Sequence, residues 1–343
     1  MRLGTGNLPQ GDLDLITSYL EPHKEAFENA KILIYGGTGF VGTWLTSGLL
    51  NANQILNLKL EISLVTRNKS LASSKFGEMS KCIEFIQNDL SVSEPSDVAQ
   101  ADYVFLGATP SISSTGSTKS AEVVSSAMNA ANHASRARSH KFLKPKVLHL
   151  NSGAIYGKQP MDMLLRSESD PVLKSSSEPY VQAKILIDEI LINAKINGLV
   201  DFISPRLFAF AGPLISLQEH FAIGNFLHDA RSNQKIQLKG NQNTTRSYLY
   251  PTDLIGILIQ LTQVDTNLTI NIGSDKPIKL YDLAVKISNS TTSHGVNLIN
   301  PHEEASNYVP SIKNLRETIW EKELISIDQA IQNWISWLEV TNL

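Results

Sequence analysis

"YGGTGFVG" (residues 35–42) follows the apolar run "KILIY" (31–35) and leads straight into a stretch with helical apolar spacing. Its glycines at 36, 39 and 42 form G-x-x-G-x-x-G. Gly36 permits a tight turn out of a strand, Gly39 leaves backbone open to a close approach, and Gly42 lets the following helix lie close against the sheet. The free N–H groups and positive end of such a helix suit a pyrophosphate. Gly36, Thr38, Gly39, Phe40, Val41 and Gly42 are therefore the first candidate dinucleotide contacts. The competing reading is a Gly-rich turn that merely packs tightly.

Outward from this turn, short apolar runs alternate with helical patterns. "EISLV" (61–65), "CIEFI" (82–86), "YVFLG" (103–107), "KVLHL" (146–150) and "VDFIS" (200–204) read, like "KILIY", as buried strands bounded by turn residues. Helices are expected near 40–52, 119–138 and 180–197. That alternation predicts an α/β, Rossmann-type, doubly wound parallel sheet over residues 31–205. Residues 1–30 are polar apart from an amphipathic stretch (Leu13, Leu15, Ile16, Leu20), expected as a helical extension. Beyond 205 the alternation weakens. A helix near 217–231, a strand around 236–238, a helix from about 252 and a terminal helix containing "AIQNWISWLEV" suggest a smaller, substrate-binding lobe over 206–343. "LTINIG" (268–273) is expected to return to the main sheet. In the terminal helix Ile331, Trp334, Ile335 and Leu338 share helical spacing and read as core. "TPSISSTGSTKS" (109–120) reads as a loop before a helix.

The 343 residues, 42% apolar and 18% charged, suffice for two lobes around one cleft. A net charge of −3 gives no general attraction to nucleic acid or anionic membrane. The basic run Arg136, Arg138, His140, Lys141, Lys144 and Lys146 reads as a solvated helix end and loop. Cys82 is the single cysteine, which suits a reducing compartment. With no CxxC or HExxH spacing, no metal site is expected. The N-terminal stretch has no continuous apolar segment, and no 18 unbroken apolar residues occur, so a soluble cytoplasmic protein is expected.

At the end of the second strand, dinucleotide-binding chains often place an acid that accepts from the ribose 2′-OH. This chain has Thr66-Arg67, a hydroxyl and a guanidinium suited to bidentate phosphate binding. The pair favours NADP(H), with NAD(H) the alternative. A plain surface arginine is the competing reading. "NDL" (88–90) puts Asp89 and Leu90 after the third strand, where Asp89 either meets the adenine or caps a turn. "FLGATP" (105–110) offers Gly107, Ala108 and Thr109, small residues that let backbone approach a cofactor.

Ser152 in "LNSGAIYG" and the pair Tyr180 and Lys184 in "YVQAK" are the catalytic candidates. Residues i and i+4 share a helix face, and Ser152 ends the fifth strand, so all three can meet at the carboxyl edge of the sheet. A phenol with a pKa of ~10 is a poor base near neutrality; an adjacent ammonium favours the phenolate. Tyr180 would then exchange a proton with a carbonyl or alcohol oxygen while Ser152 holds that oxygen. Tyr180 as a half-buried helix residue beside a solvated lysine is the competing reading.

Together these residues resemble the extended short-chain dehydrogenase/reductase family, the NAD(P)-dependent nucleotide-sugar epimerases, dehydratases and reductases. "SPRLFAFAGP" (204–213), "TTRSYLYPTDL" (244–254) and "TINIGSDKPIKLYDLA" (269–284) resemble family segments in the expected order, and "LPQGDLDLI" and "HFAIGNFLHDA" (220–230) resemble a bacterial epimerase/dehydratase subgroup. The resemblance implies that Ser152, Tyr180 and Lys184 form the catalytic triad. Lys184 would also hold the nicotinamide ribose, Arg246 the diphosphate of a nucleotide-sugar substrate, and Asn225 and Phe226 would line the nucleotide pocket. For Arg246 a surface ion pair is the competing reading. A homodimer through a four-helix bundle is implied as well. Similar 4,6-dehydratases carry Asp-Glu directly after the catalytic Ser/Thr, and related decarboxylases keep a Glu there. This chain has Gly153-Ala154, which disfavours hexose 4,6-dehydration. Val181 and Asn151 also depart from common family residues.

The resulting expectation is NADPH-dependent reduction of a nucleotide-linked 4-keto-6-deoxyhexose at C4, with Tyr180 as proton donor. A 4-epimerase with retained NAD is the alternative. A non-catalytic NADP(H) sensor and a reductase of non-nucleotide ketones are disfavoured by the Tyr180/Lys184 pair and by Arg246, respectively.

Overall fold

Strands β1 (Lys31–Tyr35), β2 (Glu61–Thr66), β3 (Ile83–Gln87), β4 (Tyr103–Leu106), β5 (Lys146–His149), β6 (Asp201–Leu207) and β7 (Thr269–Ile272) pair in the order β7-β6-β5-β4-β1-β2-β3, every pair parallel. A two-residue strand, Asn151–Ser152, continues the line of β5 and pairs alongside β6. The computed structural model describes residues 1–109, 117–218, 221–232, 234–264, 269–291, 293, 295–300 and 302–341. Most of the expected 109–120 loop, His220 and Leu268 lie outside the described residues.

Within β1, Ile32 and Ile34 face one core while Leu33 and Tyr35 face the other, the period-two alternation of a strand covered on both sides. Helices α1 (Gln10–Leu20), α2 (Phe40–Leu56), α3 (Lys69–Phe76), α4 (Ser117–Ser135), α5 (Pro179–Ile196), α6 (Ala222–Arg231), α7 (Pro251–Leu261), α8 (Leu280–Asn289) and α9 (Ile327–Thr341) complete the layers. The Ile32/Ile34 core takes side chains from α1, α2 and α7. The Leu33/Tyr35 core takes them from α4 and α5. A third core joins α6, α8 and α9 with the short strand Ile236–Leu238; Ile331, Trp334 and Leu338 are buried in it, and Ile335 packs at its margin.

The second lobe is not a contiguous block. Its segment gives two elements back to the main sheet, β7 on β6 and α7 in the Ile32/Ile34 core. Helix α7 is apolar almost all round, as a helix buried between layers must be. The helix expected near 217–231 begins only at Ala222. The N-terminal extension ties both lobes together. Gln10 Nε2 donates to Asn51 Oδ1 of α2 at 2.9 Å, Tyr250 OH donates to Asp12 Oδ2 at 2.6 Å, and Trp337 Nε1 donates to the Asn7 carbonyl at 2.6 Å. Close helix packing depends on two glycines. A Cβ on Gly48 would stand 2.6 Å from Ile16 Cγ2, and one on Gly256 2.4 Å from Tyr19 Cδ2. Among the described residues no helix is long and apolar enough to cross a membrane.

Candidate active site

Because Tyr35 is in register with Val65 on one side and Leu106 on the other, the turns after β1, β2 and β4 emerge together at the carboxyl edge. Gly36 has φ +77°, and a Cβ there would meet the Gly107 carbonyl at 2.9 Å. A Cβ on Gly42 would lie 2.1 Å from the Gly36 oxygen. The two turns thus touch backbone to backbone, and Gly39 caps α2 with its face exposed. Thr38, Phe40 and Val41 are half-buried around it. Gly107 N donates to the Tyr35 carbonyl at 3.0 Å and Thr109 N to the Gly107 carbonyl at 2.9 Å, with Ala108 half-buried between. Two buried side-chain atoms at this edge, Asn88 Oδ1 and Thr109 Oγ1, have no partner among the described residues. Burying an unpaired polar atom is unfavourable, so a polar ligand over the glycine turn fits the residues present. The start of α2 at the exposed Gly39 suits the pyrophosphate of a dinucleotide.

At the end of β2, Thr66 Oγ1 exchanges hydrogen bonds with the backbone of Asn68, both at 3.3 Å, and Arg67 is exposed. Asp89 takes the turn-capping geometry, accepting from Ser91 N at 3.0 Å and Ser91 Oγ at 2.7 Å; these bonds and the nearby Arg67 hold its carboxyl below the usual range. Leu90 is buried.

The structure brings Ser152, Tyr180 and Lys184 together. Tyr180 opens α5, and Lys184, one turn on, is buried with Nζ donating to the Leu150 carbonyl at 2.6 Å. That ammonium lies 5.5 Å from the Tyr180 ring centroid. Burial pushes the Tyr180 phenol up, and hydrogen bonding to Ser152 opposes the rise. Burial also pulls Lys184 down to about 7, against the opposing charge of Asp188. Burial thus dominates at Tyr180, whose phenol holds its proton more tightly than a free one. Such a group is a proton donor.

Asp188 lies one further turn along the same face of α5 and was missed in the sequence. It accepts from His149 Nδ1 at 2.6 Å, from Asn151 Nδ2 at 2.7 Å and from Ser204 Oγ at 2.8 Å. Asn151 Oδ1 in turn accepts from Ser152 N at 2.7 Å. The departure at Asn151 is thus part of the support for Ser152. Burial keeps His149 neutral, so its Nδ1–H donates to the carboxylate.

A second phenol, Tyr308, was also missed. Its strand pairs with that of Arg246, and its ring lies 4.7 Å from that of Phe208. Burial raises its pKa, opposed by hydrogen bonding to Ser152 and by the charge of Arg246. Tyr308 therefore sits between Ser152 and Arg246. The guanidinium of Arg246 donates to the Thr245 and Ser306 carbonyls at 2.9 and 3.0 Å and lies 5.9 Å from the Tyr308 centroid. No ion pair engages it among the described residues, and desolvation lowers its pKa, so the surface ion-pair reading has no partner. Asn225 is half-buried on α6, whereas Phe226 is packed inside the second-lobe core. No grouping of His, Cys, Asp and Glu suitable for a metal occurs among the described residues.

The position after Ser152 has a physical reason for lacking a side chain. A Cβ on Gly153 would stand 2.6–2.8 Å from the ring of Phe208.

With this geometry in place, the profile of the NAD dependent epimerase/dehydratase family matches residues 32–273. The chain belongs to that family. Its members are enzymes of the extended short-chain dehydrogenase/reductase type. Among curated relatives, UDP-glucuronic acid decarboxylase 5 of Arabidopsis thaliana is 22% identical over 291 residues, 84% of this chain and 80% of the relative. Among solved structures, UDP-N-acetylglucosamine 4-epimerase from Methanobrevibacter ruminantium M1, in complex with UDP-N-acetylmuramic acid, is 18% identical with a TM-score of 0.72, covering 92% of this chain and all of that one (100%). UDP-glucuronic acid 4-epimerase from Bacillus cereus, in complex with NAD, is 17% identical with a TM-score of 0.71, covering 90% and 99%. At these identities the solved structures speak for the fold.

Proposed function

We propose that this enzyme reduces a nucleotide-linked 4-keto sugar at C4 using NADPH. The observation that carries the reading is Arg67: the ribose edge of the cofactor turn presents an exposed guanidinium where a carboxylate would select NAD(H). When bound, the reduced nicotinamide supplies the hydride. Ser152 hydrogen-bonds the sugar carbonyl oxygen and fixes its direction. Tyr180, held protonated by burial, transfers its phenol proton to that oxygen as the C4–H bond forms, leaving an alcohol and a phenolate. Lys184 stabilises the phenolate until solvent returns the proton, and its ammonium is placed to hold the nicotinamide ribose. Arg246, without an internal counter-ion, binds the substrate diphosphate.

Two features support this over related chemistries. Dehydration and decarboxylation in similar enzymes use a carboxylate after the catalytic Ser/Thr, and Phe208 fills that space here. A 4-epimerase needs only Ser, Tyr and Lys, and the solved 4-epimerases share this fold, so epimerisation with retained NAD is the second reading. The decisive experiment identifies the co-purifying cofactor, then follows NADPH oxidation with a panel of UDP-, dTDP-, GDP- and CDP-linked 4-keto sugars. Stoichiometric oxidation with one of them is expected. Tightly retained NAD(H) with no NADPH consumption would move the assignment to the epimerase.

A further inference from the structure

The N-terminal segment has one side on α2 and the other on the second lobe. On the first side, a Cβ on Gly6 would stand 2.6 Å from Ser47 Oγ, and Asn51 Nδ2 donates to Thr17 Oγ1 at 2.9 Å. The segment is thus fitted to the helix that opens at the glycine turn. On the second side, half-buried Asp12 of α1 accepts the 2.6 Å hydrogen bond from Tyr250 OH. Tyr250 lies in the second-lobe core, directly before α7 and four residues after Arg246. Two turns further along α1, Tyr19 OH donates to Asp253 Oδ1 at 3.5 Å. Asp253 is buried in the first turn of α7, and its other oxygen accepts from Ile325 N at 2.7 Å. The contact is therefore reciprocal: α1 and the start of α7 each contribute one aspartate and one tyrosine.

We propose that these two Tyr–Asp contacts form a charge-sensitive clasp, by which α1 straps the second lobe to α2 and which weakens when both carboxylates are ionised. A neutral carboxyl can accept from a phenol without a buried charge, whereas an ionised one gains a stronger hydrogen bond but must shed its water. Here the loss of water is the larger effect and raises both carboxyls to about 6, against their hydrogen bonds. Three other groups face the clasp. Asn333 of α9 hydrogen-bonds Tyr250, Arg316 of the short helix Lys313–Thr318 acts on Asp253, and Lys322 Nζ lies 5.5 Å from the Tyr19 ring centroid. Arg316 offsets part of the Asp253 charge, and Asp12 adds to it. Both raised values lie above the ordinary 3.8, so between them the folded chain holds more protons than the unfolded one. Stability from the pair is complete below pH 3.8 and is lost as pH rises through 6.

The test is hydrogen exchange of the α1 amides in the full-length protein, read by mass spectrometry and corrected for the intrinsic pH dependence of exchange. In the wild type, protection of α1 should fall by about tenfold for each carboxylate between about pH 5 and about pH 7.5. Asp12→Asn keeps an acceptor for Tyr250 without the charge. Its α1 protection should match the wild type within about twofold at the lower pH and exceed it by about tenfold at the higher. Tyr250→Phe removes the donor and should lower protection at both. A flat wild-type profile would overturn the proposal. So would an Asp12→Asn variant no better protected than wild type at the higher pH, since the charged hydrogen bond would then hold α1 more firmly than desolvation loosens it. Unchanged protection in Tyr250→Phe would overturn it as well, by removing Tyr250 from the clasp. The wild-type profile needs no variant, so the outcome stands even where a substitution prevents folding.

Discussion

Lys184 and Lys75 are both lysines drawn out of water, and both donate to a main-chain carbonyl. They differ in their surroundings. Lys184 has Asp188 one helical turn away, and that carboxylate is itself held by His149, Asn151 and Ser204. Lys75 has no carboxylate, and neither does Arg67 form an ion pair among the described residues. A buried cation with its own counter-ion is a finished piece of machinery, because its charge is balanced by the fold. Among the described residues, Arg67 has only the exposed Asp89 nearby, and Lys75 only the Thr38 carbonyl. On the proposed reading, the α5 region serves the chemistry and the edge beyond β2 serves cofactor binding.

The largest effect should come from Tyr180→Phe. Removing a general acid lowers kcat by about 10²–10⁴-fold, and because Tyr180 sits in the finished region, cofactor affinity measured by fluorescence quenching should hardly change. A large loss of cofactor binding would erase the division between the two regions. The converse variant is Arg67→Ala. It should weaken NADPH by about 10–100-fold, the loss of one or two charged hydrogen bonds, with little effect on NADH or on kcat at saturation. Equal losses for both cofactors would mean that the guanidinium never meets the 2′-phosphate. Asp188→Asn makes Lys184 resemble Lys75 by deleting its counter-charge. Asp188 raises the Lys184 pKa, so its loss should move the alkaline limb of kcat/KM against pH downward by about one unit, and Asp188→Glu should move it back. An unmoved profile with a uniformly lower rate would leave Asp188 only a structural part.

The strands and the glycine turn were legible because their signals are local: apolar runs ended by turn residues, and a spacing that only glycine satisfies. β1 falls on the expected residues, and Tyr180 and Lys184 share one face of α5 as their spacing implied; it was their order after the glycine turn and Ser152 that singled them out. Asp188 obeys the same spacing but carries no signal until His149, Asn151 and Ser204 converge on it from strands distant in sequence. Lys75 and Tyr308 were hidden for the same reason, since the Lys75–Thr38 hydrogen bond spans 37 residues and Tyr308 reaches the site through strand pairing with Arg246. The return of α7 to the main core was masked by the run of chain between it and β6. Gly153 was readable as an absence of carboxylate, but the cause lies in Phe208, which no local pattern connects to it.

The smallest effect separates stability from activity at Lys184. Its folded pKa of about 7 lies below the ordinary lysine value of 10.5, so between those values the unfolded chain binds more protons than the folded one. Stability from this group therefore rises with pH across that window and is least below pH 7, where the folded protein must keep the ammonium charged and dry. Lys184→Met removes the charge but keeps much of the volume. It should abolish turnover and yet raise Tm at pH 6, by about 2–4 °C for each 1 kcal/mol of desolvation relieved. The Tm difference between variant and wild type should narrow toward pH 9. A variant that melts lower than wild type at pH 6 would show that Asp188 and the Leu150 carbonyl more than offset the desolvation of Lys184. The lysine would then be a net stabiliser of α5, and the contrast with Lys75 would be wider than burial alone implies.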